Sequence, residues 1–165
     1  MNLVIIDGLS YALPLLIIAI GGIYSERSGI TNLALEGMLG MGAFTGGLFV
    51  ALFGDSFAAG SNAPMAFAFL FAAIGGGIYA MLHALLCIKF RANQVISGVV
   101  INILSVALTG FLTNQINMSV FGTSSNKFPL SVSPRITVPG LSDIPVLGAV
   151  FTNFYPFEVL ILILF

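Results

Sequence analysis

Four long apolar runs set the first constraint on this chain: residues 3–24, 30–53, 64–88 and 95–113. Each supplies or approaches the roughly 20 apolar residues needed to cross a bilayer, and a fifth run begins at residue 157. Hydrocarbon cannot hydrogen-bond a peptide group, so spanning segments must be helices or closed barrels. The runs lack the period-two alternation of a barrel strand, which favours helices. The expected fold class is therefore all-α, a polytopic transmembrane helical bundle forming one domain over residues 1–165. Composition agrees: 58% of residues are hydrophobic and 7% charged, against about 25% charged in a soluble domain.

The few charges orient the spans. Arg27 lies between the first two runs, and Lys89 with Arg91 between the third and fourth, whereas the link "GDSFAAGSNAP" carries only Asp55. The positive-inside rule then places the basic loops in the cytoplasm and the N-terminus outside. Residues 114–156 become an extracytoplasmic loop, although Lys127 and Arg135 count against that side. Pro129, Pro134, Pro139 and Pro145 make a continuous helix there improbable, and a folded loop lying on the bundle is expected. The first run has no basic segment before it and contains Asp7 and Pro14, so it reads as a retained span.

Several chemistries are excluded. Five basic and six acidic residues give a net charge of −1 without a basic cluster, so no nucleic acid partner is expected. One cysteine, Cys87, and one histidine, His83, provide neither a disulfide nor a metal cluster. No G-x-x-x-x-G-K-[ST] phosphate loop, zinc motif or nucleophile–base pair occurs. The chain is expected to be no enzyme, with no catalytic residue, cofactor or metal.

Polar and small residues inside the spans fall into stripes. In the fourth span Gln94, Gly98, Asn102, Ser105, Thr109 and Thr113 step by three or four. The third repeats this with Ala68, Ala72, Gly76, Ala80, His83 and Cys87, and the second with Asn32, Glu36, Gly40, Ala43 and Gly47. Gly and Ala positions read as packing seams, because membrane helices associate through small residues. His83 reads as an interhelical hydrogen-bonding group, and Tyr24 and Tyr155 as interfacial anchors. Glu36 and Asn102 stand apart, since a charge at the bilayer centre costs about 2.5–3.5 kcal/mol and such residues usually face a cavity or a partner. Glu36 also admits a plainer role, reaching the interface or a helix N-terminus two turns from the cytoplasmic end.

In "YSERSGITNLALEG", Ser28 and Gly29 can break the first helix and Thr31 can cap the next, with Asn32 and Glu36 on its first two turns. A broken connection at membrane depth is tolerated only where protein or a wet cavity satisfies the backbone, so it suits the floor of a pathway.

The stretches "GGIYSERSGITNLALEGMLGMGAFTG" and "FRANQVISGVVINIL" closely resemble two motifs of the permease subunits of ABC importers for simple sugars, nucleosides and branched-chain amino acids. The form "SERSG…N.ALEGM" with "RANQVISG…N" is most similar to the nucleoside-type branch, and the resemblance covers nearly the whole chain. It implies a translocation path enclosed with a second permease subunit, driven by cytoplasmic ABC ATPase subunits and supplied by an extracytoplasmic substrate-binding protein. The small-molecule substrate would be a nucleoside or simple sugar, and the subunit would sit in cell-membrane lipid as a multi-pass protein. Asn32, Glu36 and Asn102 match polar motif positions, and with Ser105 and Thr109 on the same stripe they are the expected path residues, lining or shaping it.

Two other classes remain open at this level. Glu36 and His83 could form the relay of a proton- or ion-coupled carrier or channel, although no set of intramembrane carboxylates accompanies them. A non-transporting membrane assembly protein would need only the seams. The chain closes on "FEVLILILF", nine residues after Pro156. Such permeases are about twice as long, with the ATPase-coupling helix after this span, so the chain is expected to be a fragment or truncated form, or to have its remaining half encoded elsewhere, and not to transport alone.

Overall fold

A computed structural model describes residues 2–58 and 61–130, whose regular structure is entirely helical. The helices are α1 (Asn2–Arg27), α2 (Leu35–Phe53), α3 (Ala63–Ala84) and α4 (Gln94–Ile116). A 3-10 turn follows α2, and π-helical turns extend α3 through Leu85–Lys89 and α4 through Asn117–Phe121. With these extensions α2, α3 and α4 span 22, 27 and 28 residues, about 33, 40 and 42 Å at 1.5 Å per residue. All three exceed a hydrocarbon core of about 30 Å. Tyr24–Val132 form one compact unit, and α1 up to Ile23 belongs to another.

Two helix limits differ from the sequence reading. α2 begins at Leu35 and not at residue 30, because side chains of α4 hold the backbone ahead of it unwound. α4 continues past residue 113 to Ile116 and its π turn, because its polar end finds partners in the returning chain. The Asn117 side chain is fully buried, and its Nδ2 donates to the carbonyls of Ser125 at 2.7 Å and Lys127 at 2.9 Å. Gly122, at φ +65°, reverses the chain into this contact. Phe128 then stacks obliquely on Phe44, with ring centroids 5.8 Å apart. The first part of the expected folded loop thus lies on α2. Its remainder, with Tyr155 and the run from 157 to the chain end, falls outside the described residues.

The α2–α3 seam is a close backbone approach. Gly42 and Gly46, four apart, present the small-xxx-small pattern that lets membrane helices touch. A Cβ on Gly46 would stand 2.7 Å from the Ala68 carbonyl oxygen and 3.2 Å from Ala72 Cβ. Thr45 crosses the seam, its Oγ1 lying 3.0 Å from the Phe71 carbonyl oxygen as well as near its own helix's carbonyls. The expected α3 stripe of Ala68, Ala72 and Gly76 is therefore this seam, whereas Gly40 and Gly47 on α2 face Ser105 and Phe128 instead. α2 lies between two neighbours and divides its small residues between them. Beyond the glycines the seam closes on Phe49, which stacks on Phe71 with centroids 4.7 Å apart and also meets Phe53, Phe57 and Phe67.

Candidate functional site

The break after α1 is a built structure. Gly29, at φ +86°, donates its N–H to the Glu26 carbonyl at 3.0 Å, and Ile30 donates to the Ser25 carbonyl at 3.3 Å. These are the paired bonds of a Schellman cap, in which a residue without Cβ occupies the left-handed position at low cost. Ser25 Oγ donates to the Ile30 carbonyl at 3.0 Å and Ser28 Oγ to the Ser25 carbonyl at 2.6 Å, so both serines of "SERSG" stabilise the turn.

The segment between this turn and α2 departs from expectation. Thr31 does not cap α2; the N-cap residue is Ala34, and no side chain of its own caps the helix. Asn32 is not on the helix but precedes it, its Oδ1 accepting from the Ala34 N–H at 2.9 Å and its Nδ2 resting 3.6 Å from Met38 Sδ. The sequence signal for a cap is local, and here the partner comes from elsewhere.

It comes from α4. Asn93 caps α4 itself, accepting from the Val95 N–H at 2.9 Å and the Ile96 N–H at 3.2 Å. The next residue, Gln94, accepts the Thr31 N–H at 2.8 Å. Two turns on, Asn102 Oδ1 accepts the Gly37 N–H at 2.7 Å while its Nδ2 donates to the Leu33 carbonyl at 2.8 Å. Ser105 Oγ then donates to the Gly37 carbonyl at 2.7 Å. Gly98 lets these bonds form, since a Cβ there would lie 2.8 Å from Leu33 Cβ and 3.1 Å from the Leu33 carbonyl carbon. The two sequence motifs are thus pressed against each other, with Arg27 at the end of α1 in one and Arg91 just ahead of α4 in the other.

The five expected path residues separate by role. Asn102 is half-buried and Ser105 is 1% exposed, both engaged with the backbone of Leu33–Gly37. Thr109, one turn further, donates to the Ser105 carbonyl at 2.7 Å. Asn32 is half-buried, and Glu36, in the first turn of α2, is exposed, with no hydrogen bond or ion pair found for it among the described residues. Gln94 was legible only as a member of α4's stripe; nothing in the sequence ties it to its backbone partner Thr31.

His83 makes the interhelical contact that its position suggests: Nδ1 is 3.0 Å from Ser97 Oγ, both side chains buried, with Cys87 Sγ 3.7 Å from Nε2. One turn earlier on α3, the Tyr79 hydroxyl donates to the Ile101 carbonyl at 2.9 Å. His83 therefore serves the α3–α4 contact, and no hydrogen-bonded relay links it to Glu36 among the described residues.

The family model of the permease component of branched-chain amino acid transport systems matches residues 4–165. The chain is 40% identical to the guanosine ABC transporter permease protein NupQ of Bacillus subtilis over 152 residues, 92% of this chain and 45% of that protein. It is 34% identical to the nucleoside ABC transporter permease protein NupC of Lactococcus lactis, again over 92% of this chain and 45% of that one. A putative glucose ABC transporter permease of Haloferax volcanii is 35% identical over 72% of this chain and 34% of its own length. The chain thus spans less than half the length of these relatives. No solved structure matches it. Matched over almost its whole length by the family model, and carrying three helices able to cross a membrane, the chain belongs to the family of membrane-spanning permease components of branched-chain amino acid transport systems.

Proposed function

We propose that this chain forms part of the translocation path of an ATP-driven importer whose substrate is a nucleoside. A second permease subunit completes the path, separate cytoplasmic ATPase subunits hydrolyse ATP, and an extracytoplasmic binding protein delivers substrate. The observation that supports this most is the contact between the two motif stretches that carry the family resemblance, Ser25–Gly37 against Asn93–Ser105. Two relatives covering 92% of the chain are named for guanosine and for nucleosides. The basic residues Arg27, Lys89 and Arg91 put this contact on the cytoplasmic side.

The path roles divide as the bonds do. Glu36 and Asn32 face the path, Asn102 and Ser105 shape its wall by holding the backbone from which Glu36 projects, and Thr109 continues that face of α4 one turn on. A neutral polar wall with one carboxylate suits a solute rich in hydroxyl and N–H donors, as a nucleoside is. A zwitterionic amino acid needs a cation for its carboxylate as well, and these five residues offer none.

Competition uptake tests the substrate. In cells lacking their own nucleoside uptake, the assembled importer should accumulate labelled guanosine, and excess unlabelled nucleosides should suppress it while ribose and leucine do not. No accumulation of guanosine, with labelled ribose or leucine accumulated instead, would move the chain to another substrate class.

A further inference from the structure

α2 lacks a cap of its own, and α4 supplies one. A helix N-terminus leaves its first N–H groups without intrahelical partners, and the group normally served by an N-cap side chain is that of the second or third helical residue. Here the third is Gly37, and the oxygen that receives its N–H belongs to Asn102, 65 residues away. We propose that Asn102 is a positioning residue: from α4 it caps α2, so that the unwound segment Gly29–Ala34 and Glu36 travel with α4 through the transport cycle. The proposal rests on the importer reading for its consequence in uptake, though not for its geometry.

Three features support a rigid coupling in place of a substrate-facing wall. The Asn102 amide is used at both ends, accepting from Gly37 N–H and donating to the Leu33 carbonyl. Rotating the amide by half a turn would set donor against donor and acceptor against acceptor, so its orientation is fixed by the backbone it holds. The bonds are also spread along α4: Gln94 holds Thr31, Asn102 holds Leu33 and Gly37, and Ser105 holds Gly37 from its carbonyl side. Anchors at three heights on one helix restrain rotation as well as translation of the segment. Finally, within a membrane a released backbone group has little water to turn to, so breaking the clamp is costly. A movement of α4 therefore carries the segment, and Glu36 moves with it.

Asn102→Leu separates this chemistry from simple packing, since leucine is nearly isosteric with asparagine but offers neither an acceptor to the Gly37 N–H nor a donor to the Leu33 carbonyl. Two measurements on the assembled importer in proteoliposomes use this: maximal uptake and KM for two different nucleosides, and amide hydrogen exchange of residues 31–38. Relative to wild type, Asn102→Ala should lower maximal uptake roughly tenfold, leave both KM values unaltered, and speed exchange of the segment by a similar factor, the scale of a lost cap. Asn102→Leu should match Asn102→Ala in both measurements, although its side chain fills the space of the asparagine.

KM changes that differ between the two nucleosides, with exchange unaltered, would make Asn102 a substrate-contacting residue and overturn the proposal. So would an Asn102→Leu protein with the uptake and exchange of wild type. If Asn102→Ala does not assemble, Asn102→Leu decides alone. Should the importer carry no nucleoside, the substrate reading fails, and hydrogen exchange still tests the clamp.

Discussion

Gly46→Leu should strongly destabilise the protein at the α2–α3 seam. The site has no room even for the first added carbon, which would sit 2.7 Å from the Ala68 carbonyl oxygen and 3.2 Å from Ala72 Cβ. The oxygen belongs to backbone, so relief requires the helices to separate. Separation pulls Thr45 from the Phe71 carbonyl and opens the Phe49–Phe71 stack, so the contacts on both sides of the glycine weaken together. Overpacking of this kind costs about 1–3 kcal/mol, with about 0.6 kcal/mol for a lost interhelical hydrogen bond. For a chain of this size that lowers the melting midpoint by about 6–12 °C. Thermal unfolding of the solubilised protein should show this drop with a smaller one for Gly46→Ala, and a Gly46→Leu midpoint equal to wild type would refute the seam.

The second large effect should appear in function. At Gly98 a leucine would drive its Cβ to within 2.8 Å of Leu33 Cβ and 3.1 Å of the Leu33 carbonyl carbon. Pushing Leu33 away from α4 takes its carbonyl from Asn102 and draws Thr31 from Gln94, so one added side chain disrupts the clamp at two points. The α2–α3 seam lies on another face of α2 and should survive. Gly98→Leu in the assembled importer should therefore lose at least about tenfold of its uptake, the equivalent of roughly 1.4 kcal/mol, while folded yield falls much less. Gly110→Leu is the control, since no atom lies within 4 Å of the position its Cβ would take. Equal uptake by the Gly98 and Gly110 variants would show that the contact with Leu33 has no part in transport.

The fold was legible where a residue's own chemistry shows its role. Long apolar runs mark α2, α3 and α4, and the stripes on α3 and α4 correctly name Ala68, Ala72 and Gly76 at one seam and Gln94, Gly98, Asn102 and Ser105 at the other. His83 also met the interhelical partner expected of it. The α2 stripe was less legible, because one helix serving two neighbours does not present a single face: Gly42 and Gly46 meet α3, whereas Gly37 meets α4. The start of α2 could not be read at all. Thr31 and Asn32 carry the local signature of a cap, yet the group that caps Gly37 stands 65 residues later on another helix. Only tertiary structure brings them together. For the same reason the sequence does not show that the Asn102 amide bonds backbone through both its oxygen and its nitrogen.

ATP-driven uptake is the central element of the proposed function. Proteoliposomes should contain the permease with its partner permease, ATPases and binding protein, and receive labelled guanosine with ATP supplied on the ATPase side. Accumulation that requires both ATP and the binding protein, and that persists when a protonophore collapses the proton gradient, is the predicted result. Accumulation without ATP that the protonophore abolishes would contradict it and identify a proton-coupled carrier instead.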